Sequence, residues 1–465
     1  MALITSISGI RGTIGGKEKE NLTPLDIVRF TAAFAVLLRE QHPDKNELTI
    51  VLGRDARVSG KVVSALAATT LQSMGIHVID VGLSTTPSVE MAVKQLHANG
   101  GVIITASHNP KHWNALKLLN QDGEFISRED GNRLLVIAND ENFCFSDIDH
   151  LGNYSCREDS IENHINEILQ LPAVRVDDIR GADFSVIVDG VNSTGSLALP
   201  SLLHALGVTK VTLLNGELTG QFAHNPEPLP EHLSEISKIM QSGKYHVGFV
   251  CDPDVDRLAI LTEKGEMFGE EYTLVAIADY ILQQKKGCAV SNLSSTRALK
   301  DLCAREGVDC YQAAVGEVNV VNLMKTKHAI IGGEGNGGVI YPELHYGRDA
   351  LVGVALFLSY MATSRKSCLS IRQQYPDYYI SKNKIDLPAT LSVQKILDCL
   401  AKDYSREQID VTDGIKIDFK DSWIHLRPSN TEPIIRVYAE AKDKTTAEAL
   451  YDEIYHHIKN ILFPS

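Results

Sequence analysis

Short apolar runs alternate with longer segments whose apolar residues recur at helical spacing along most of the chain. Thr23-Pro24 supplies an N-cap and a first-turn proline for a helix reaching about residue 39. Residues 48–52 then read as a strand, 59–74 as a helix, 76–81 as a strand and 86–96 as a helix. A buried-looking strand at 101–105 runs into Ala106-Ser107-His108-Asn109-Pro110, and a polar stretch follows. The alternation restarts near 159, with helices at 161–169 and 195–206 and strands at 184–188, 211–214 and 245–251. A third block has a strand at 258–262, helices at 270–284, 296–305 and 348–362, and a strand at 329–331. Strands separated by helices of this length predict three α/β blocks on one plan. The tail differs, with helices at 390–402 and 446–462 around strands at 415–419 and 434–441. The expected domains are 1–153, 154–255, 256–370 and 371–465.

The 465 residues suit three or four domains at about 150 residues each. Lys and Arg total 45 against 59 Asp and Glu, a net charge of −14, which repels polyanions and argues against nucleic-acid or acidic-membrane partners. A local positive pocket for a small phosphorylated ligand remains compatible with that balance. The eight cysteines never form a Cys-x-x-Cys pair, which suits a reduced, cytoplasmic protein better than a disulfide framework or zinc knuckle. The amino terminus lacks a basic leader, and the longest apolar stretch, 351–362, is too short to span a bilayer.

Four loops carry candidate chemistry. Asp252-Pro253-Asp254-Val255-Asp256-Arg257 has carboxylates at i, i+2 and i+4, which would share one side of an extended segment. Such crowded negative charge calls for a cation, and hard carboxylate oxygens suit Mg²⁺ or Ca²⁺. An EF-hand competes, because Glu263 stands at its twelfth position, but Arg257 replaces the required glycine and the flanks read as strands. A solvated acidic turn is the other alternative. Ser107, at a strand exit, reads as a nucleophile or as a helix cap, with Lys111 and Lys117 nearby. Gly332 to Gly338 has five glycines in seven positions, lacks both nucleotide-binding glycine patterns, and exposes Glu334 and Asn336 to sugar hydroxyls unless it is a bare turn. Arg427-Pro428-Ser429-Asn430-Thr431-Glu432-Pro433 offers a guanidinium, short donors and successive backbone N–H groups for a phosphate. Arg11 between glycines, and Arg54 and Arg57 after a strand, are further cations that either meet an anion or form solvated faces.

Together these loops resemble those of the α-D-phosphohexomutase family, and the resemblance covers essentially the whole chain. Thr105 to Pro110 resembles its active-serine loop, Asp252 to Arg257 its metal loop, Gly333 to Gly338 its sugar loop and Arg427 to Pro433 its phosphate loop. The resemblance implies three related α/β domains with mixed sheets, plus a fourth, TATA-box-binding-protein-like α+β domain, around a central cleft. It departs at Asn336 and Gly338, where many relatives have Ser and His, and at Ala314, where a Lys is usual.

It further implies that Ser107 is phosphorylated and passes its phosphoryl group to a hexose phosphate. Mg²⁺ would be held by Ser107, Asp252, Asp254 and Asp256, with a hexose 1,6-bisphosphate as activator. Arg257 would steady the phosphoserine, His108 or Lys117 would move the proton, and Arg11 would hold local charge. Glu334 and Asn336 would hold the sugar, and Arg427, Ser429, Asn430 and Thr431 the distal phosphate. The expected reaction interconverts hexose 6- and 1-phosphates, with glucosamine phosphate as the leading substrate and mannose or glucose phosphate as alternatives. A metal-dependent phosphatase and a non-catalytic sugar-phosphate binder are the competing classes. No partner beyond the phosphosugar is expected, in a monomer or homodimer.

Overall fold

The computed structural model describes residues 3–6, 9–386, 393–428 and 434–462, with residues 5, 6, 461 and 462 described by backbone alone. Four β-sheets, each flanked by helices, follow one another along the chain. The first contains β1 (Ile4–Ser6), β2 (Gly9–Thr13), β3 (Leu48–Arg54), β4 (Ile76–Leu83), β5 (Gly100–Ile104), β6 (Trp113–Leu119) and β7 (Tyr154–Cys156). Their order is β1-β2-β6-β5-β3-β4-β7. The β5, β3, β4 and β7 neighbours run parallel, whereas β2 and β6 join antiparallel, so the sheet is mixed.

Helix Pro24–Gln41 starts as its sequence predicts: Thr23 and Asp26 cap each other's backbone N–H groups reciprocally. Its Phe30, Phe34 and Leu38 pack with Leu71, Leu134 and Ile137 of the neighbouring helices over Ile50, Leu52, Val102 and Leu116 of the sheet. Helix Thr86–Gln95 lies close against β3, where a Cβ at Gly53 would come within 2.4 Å of Val89. The second sheet holds β8 (Ser185–Asp189), β9 (Lys210–Leu214), β10 (Val247–Cys251) and β11 (Leu258–Thr262), in the order β11-β10-β8-β9. Its β10 and β11 form an antiparallel pair joined by the Asp252 to Arg257 loop.

In the third block β12 (Ala289–Asn292) runs parallel to both β13 (Cys310–Ala313) and β14 (Ile331–Glu334), and β15 (Gly338–Ile340) follows in the chain. The last sheet is wholly antiparallel, in the order β16-β20-β19-β18-β17. Its strands are β16 (Tyr379–Asp386), β17 (Gln408–Asp410), β18 (Ile415–Asp418), β19 (Trp423–Pro428) and β20 (Ile434–Ala441). Helices Val393–Asp403 and Lys444–Leu462 supply Ile396, Leu400, Ile454 and Ile458 to its core.

Two compact units emerge, residues 1–285 with 336–372, and residues 286–335 with 373–465. The third block is therefore divided, with β12 to β14 in the second unit and β15 and helix Ala350–Ser364 in the first. Among the described residues no helix is long and apolar enough to cross a membrane.

Candidate active site

The first unit brings Ser107 to the metal-type loop although 145 residues separate Ser107 from Asp252. Ser107 Oγ donates to Asp252 Oδ2 at 2.6 Å. No helix follows Ser107; the next element is β6, so the helix-cap alternative falls away. Instead Ser107 sits in a tight turn at φ +48°, its N–H held by Thr105 Oγ1 at 3.0 Å. Thr105 Oγ1 in turn donates to Asp55 Oδ2 at 2.6 Å.

The main brace of this turn is Arg57, which in the sequence alone is one more cation after a strand. Its side chain is fully buried and every N–H is used. Nε donates to Asp55 Oδ2 at 3.1 Å, Nη1 to the carbonyls of Pro110 and Trp113 at 2.8 and 3.1 Å, and Nη2 to those of Ser107 and Asn109 at 2.5 and 2.6 Å. A rigid guanidinium fork meets four carbonyls of one loop, which a lysine ammonium cannot span. Replacing Arg57 by Lys should therefore lower stability by about 2–4 kcal/mol, because buried carbonyls lose their donors. A urea titration followed by circular dichroism would measure it, and an unchanged midpoint would refute the bracing role.

The aspartate loop departs from expectation in form. It is a turn, not an extended segment: Val255 N–H returns to Asp252 O at 3.1 Å, with Val255 at φ +65°. The carboxylates converge because the chain reverses, so strand alternation is not their cause. Such a backbone costs a β-branched residue about 1–3 kcal/mol. Contacts on both sides offset it: Ala350 N–H bonds Val255 O at 3.1 Å, and the hydroxyls of Ser193 and Thr194 bond Pro253 O at 2.7 and 2.8 Å. The flanks are strands, which excludes an EF-hand, and full burial excludes a solvated acidic turn.

One oxygen from each of Asp252, Asp254 and Asp256 lies within 4.8 Å of the others. Asp254 Oδ1 and Asp256 Oδ1 are buried with no hydrogen-bond partner. Buried, unpartnered carboxylate oxygens are costly unless a cation meets them, and an all-oxygen donor set fits a hard dication. The remaining oxygens are tied back. Asp254 Oδ2 accepts from Thr86 Oγ1 at 2.6 Å and Lys117 Nζ at 2.7 Å, and Asp256 Oδ2 from Arg348 Nη2 at 2.6 Å and Lys117 at 3.4 Å.

The electrostatics follow from this crowding. Burial, then the charges of Asp256 and Asp254, push Asp252 well above the usual carboxylate range. Burial also works against Asp256, but Arg348, Lys117 and Arg257 outweigh it and hold its pKa low. Burial opposes charge on Lys117 too, yet Asp254 and Asp256 prevail and raise its pKa, so it stands as a fixed ammonium. His108 Nδ1 lies 3.2 Å from Ser107 Oγ, and burial followed by Arg257 holds this imidazole down at about 2. Arg11, on β2, pairs with Ala115 and so faces the same side of the sheet as Lys117. Burial and the neighbouring Arg257 lower the Arg11 pKa.

Thus Ser107, His108, Arg11, Lys117, Arg257 and the three aspartates form one cluster. Asn336 belongs to the same unit, where its Oδ1 accepts from Gly338 N–H at 3.2 Å.

Glu334 and Arg427 belong to the second unit. Glu334 is not on a loop as expected: it ends β14, its Oε1 accepting from Asn292 Nδ2 at 2.9 Å and Gly316 N–H at 3.1 Å. Arg427 likewise lies within β19, its Nη1 3.3 Å from Asp413 Oδ2. That same Asp413 oxygen takes Val315 N–H at 3.0 Å, so adjacent backbone N–H groups of one loop link the two side chains. Ser429, Asn430 and Thr431 lie outside the described residues. The sequence shows Arg57 only as a cation after a strand, and Thr86 and Arg348 only as the starts of the helices expected at 86–96 and 348–362; Asp413 stands in no segment singled out there.

Comparison with known proteins gives the family. Family descriptions match in series: "Phosphoglucomutase/phosphomannomutase, alpha/beta/alpha domain I" over residues 3–144, domain II over 162–265, domain III over 269–379 and the C-terminal domain over 384–457. A phosphoglucomutase/phosphomannomutase of Thermococcus kodakarensis is 34% identical over 442 residues, 94% of this chain and 95% of its own. A phosphoglucosamine/phosphogalactosamine mutase of Sulfurisphaera tokodaii is 32% identical over 463 residues, 98% of each chain. The crystal structure of a phosphoglucomutase/phosphomannomutase family protein from Burkholderia thailandensis shares the fold, with a TM-score of 0.82, 22% identity and 99% coverage of both chains. With four sheets in series and a serine facing three buried aspartates, the chain belongs to the α-D-phosphohexomutase superfamily.

Proposed function

We propose that the protein interconverts glucosamine 6-phosphate and glucosamine 1-phosphate through a phosphoserine at Ser107. The observation that carries this reading is the 2.6 Å contact of Ser107 Oγ with an aspartate whose two companions each keep a buried oxygen without a hydrogen bond. The choice of amino sugar leans on the Sulfurisphaera relative, which is named for glucosamine and galactosamine phosphates.

Asp252, Asp254 and Asp256 would hold Mg²⁺ together with the group on Ser107. Bound there, Mg²⁺ would supply charge neutralisation for a phosphoryl group in transfer. The P–O bond to Ser107 breaks as a P–O bond to the free sugar hydroxyl forms, and that hydroxyl's proton must leave. His108, a neutral imidazole 3.2 Å from Ser107 Oγ, is the proposed acceptor, a role that requires the negative charge of the incoming phosphate to raise its depressed pKa. Lys117, committed to two carboxylates, acts as a fixed positive charge, and Arg11 and Arg257 extend that positive field toward the phosphate. The bisphosphorylated sugar then returns its other phosphate to Ser107. Glu334, Asn336 and Arg427, with Ser429, Asn430 and Thr431, are the proposed sugar and distal-phosphate contacts. A hexose 1,6-bisphosphate would prime the resting serine.

Intact mass and phosphopeptide mapping before and after excess glucosamine 6-phosphate with Mg²⁺ test the reading. The expected result is a phosphate on Ser107 that is lost as glucosamine 1-phosphate or the bisphosphate accumulates. Transfer only to mannose or glucose phosphate would keep the mechanism and overturn the substrate. Stoichiometric release of inorganic phosphate would point to a phosphatase. No phosphate on Ser107, even after priming with a hexose bisphosphate, would sink the proposal.

A further inference from the structure

Gly338 opens β15, and its own backbone gives no reason for glycine. Its φ lies outside the left-handed region, so any L-residue could adopt it. The reason is steric. A Cβ on residue 338 would sit 2.3 Å from Arg348 Cδ and 3.0 Å from Arg348 Cγ, with Asn336 Oδ1 at 3.1 Å. The arginine stem has little room to retreat. Its guanidinium is anchored at Asp256 Oδ2, 2.6 Å away, the residue is 8% exposed, and the next N–H, on Asp349, bonds Val339 O at 2.8 Å.

We infer that Gly338 and Arg348 form one device, in which the missing side chain at 338 opens a channel for Arg348 to reach and orient Asp256. Arg348 is a positioning residue for the cation site, and its stem occupies the volume that a Cβ at 338 would need. It ties down Asp256 Oδ2, which also receives Lys117 at 3.4 Å, and leaves Asp256 Oδ1 without a hydrogen bond, with Arg257 Nε 3.9 Å away. Fixing one oxygen of a carboxylate ligand sets the direction of the other, as outer partners of metal ligands do. This inference deepens the proposed phosphohexomutase function and rests on its metal loop.

The test is Mg²⁺ binding by calorimetry to the full-length, dephosphorylated chain, with folding checked by circular dichroism. Removing a positive charge beside a cation site would by itself tighten Mg²⁺ binding. A net loss therefore isolates the orienting role. Arg348→Ala should weaken Mg²⁺ binding by about tenfold to a hundredfold, the scale on which such outer partners are felt. Arg348→Lys should recover part of that affinity.

Gly338→Ala alone should mimic the loss, because the new methyl displaces Arg348 from Asp256. Adding Gly338→Ala to Arg348→Ala should cost nothing more, since the obstacle is already gone. Unchanged or tighter Mg²⁺ binding in Arg348→Ala, or additive losses in the double variant, would overturn the inference. Should Arg348→Ala fail to fold, a folded Gly338→Ala with wild-type Mg²⁺ affinity overturns it equally. A wild type that binds Mg²⁺ yet transfers no phosphoryl group to any hexose phosphate sinks the mutase reading alone. A wild type that binds no Mg²⁺ sinks both.

Discussion

Ser107→Ala is expected to abolish phosphoryl transfer, lowering turnover by about 10⁴ to 10⁶-fold, the scale on which loss of a covalent nucleophile is felt in other enzymes. The Ala variant keeps the surrounding braces, because Arg57 and Thr105 grip the backbone of the turn and not the serine hydroxyl. Its stability should fall by only about 1–3 kcal/mol, as buried Asp252 Oδ2 loses its donor, and phosphopeptide mapping should find no phosphate in the 105–110 loop. Ser107→Thr makes a sharper comparison, since it retains a hydroxyl. Its branched Cβ must adopt φ +48°, a conformation that costs about 1–2 kcal/mol and crowds the side chain. Threonine should therefore fail to restore turnover despite its chemistry, and should also unfold earlier. Coupled assay of hexose 1-phosphate formation, run beside urea unfolding, separates the two variants. Activity of Ser107→Ala within tenfold of wild type would remove Ser107 from the reaction.

What was legible in the sequence depended on locality. The helix from Pro24, the strands β3, β8 and β11 and the helix Glu270–Gln284 follow from caps and apolar runs within one segment. Strand β6 was not legible, because Asn114 and Lys117 interrupt its apolar pattern and look solvent-facing, yet both are buried. Lys117 can be buried only because Asp254 and Asp256, more than a hundred residues on, neutralise it. Helix Arg128–Asp140 hid for the opposite reason: it opens on Arg-Glu-Asp-Gly-Asn-Arg and buries only a narrow stripe, Leu134, Ile137 and Ala138. The site divides in the same way. Clustered motifs such as Asp252 to Arg257 announce themselves, whereas Arg348 and Asp413 act on partners about ninety and a hundred residues away, and no local spacing encodes those contacts.

Asp349→Ala should be the most destabilising single change in the first unit, by about 3–5 kcal/mol, because it strips a buried carboxylate from several groups at once. Asp349 Oδ1 caps helix Ala350–Ser364 by accepting from Leu351 and Val352 N–H at 2.7 and 3.2 Å. Its Oδ2 accepts from His164 Nε2 at 2.9 Å and His345 Nε2 at 3.3 Å, and His164 Nδ1 meets Ser88 Oγ at 3.0 Å. Serine, histidine and aspartate here have the connectivity of a hydrolytic triad, but all are buried and no substrate reaches them. Their work is to join helix Thr86–Gln95, helix Ser160–Gln170 and the start of helix Ala350–Ser364, segments distant in sequence.

The pH dependence distinguishes this tie from simple packing. Burial opposes charge on Asp349, but His164 and then His345 outweigh it and hold its pKa well below the usual value. A carboxyl depressed in the folded state stabilises above its unfolded pKa of about 3.9, and that share is lost as pH falls toward the folded value. Burial lowers the pKa of His345, so acid also penalises the fold below about pH 6.5, where the unfolded histidine takes up a proton. Wild type should thus lose stability on acidification, and the gap to Asp349→Ala should be widest at neutral pH and shrink below about pH 4. Urea midpoints measured from pH 7 to pH 3 on both chains give the comparison. A gap that stays constant across that range would mean that Asp349 acts through shape alone, and its charge would then have no part in holding the three helices together.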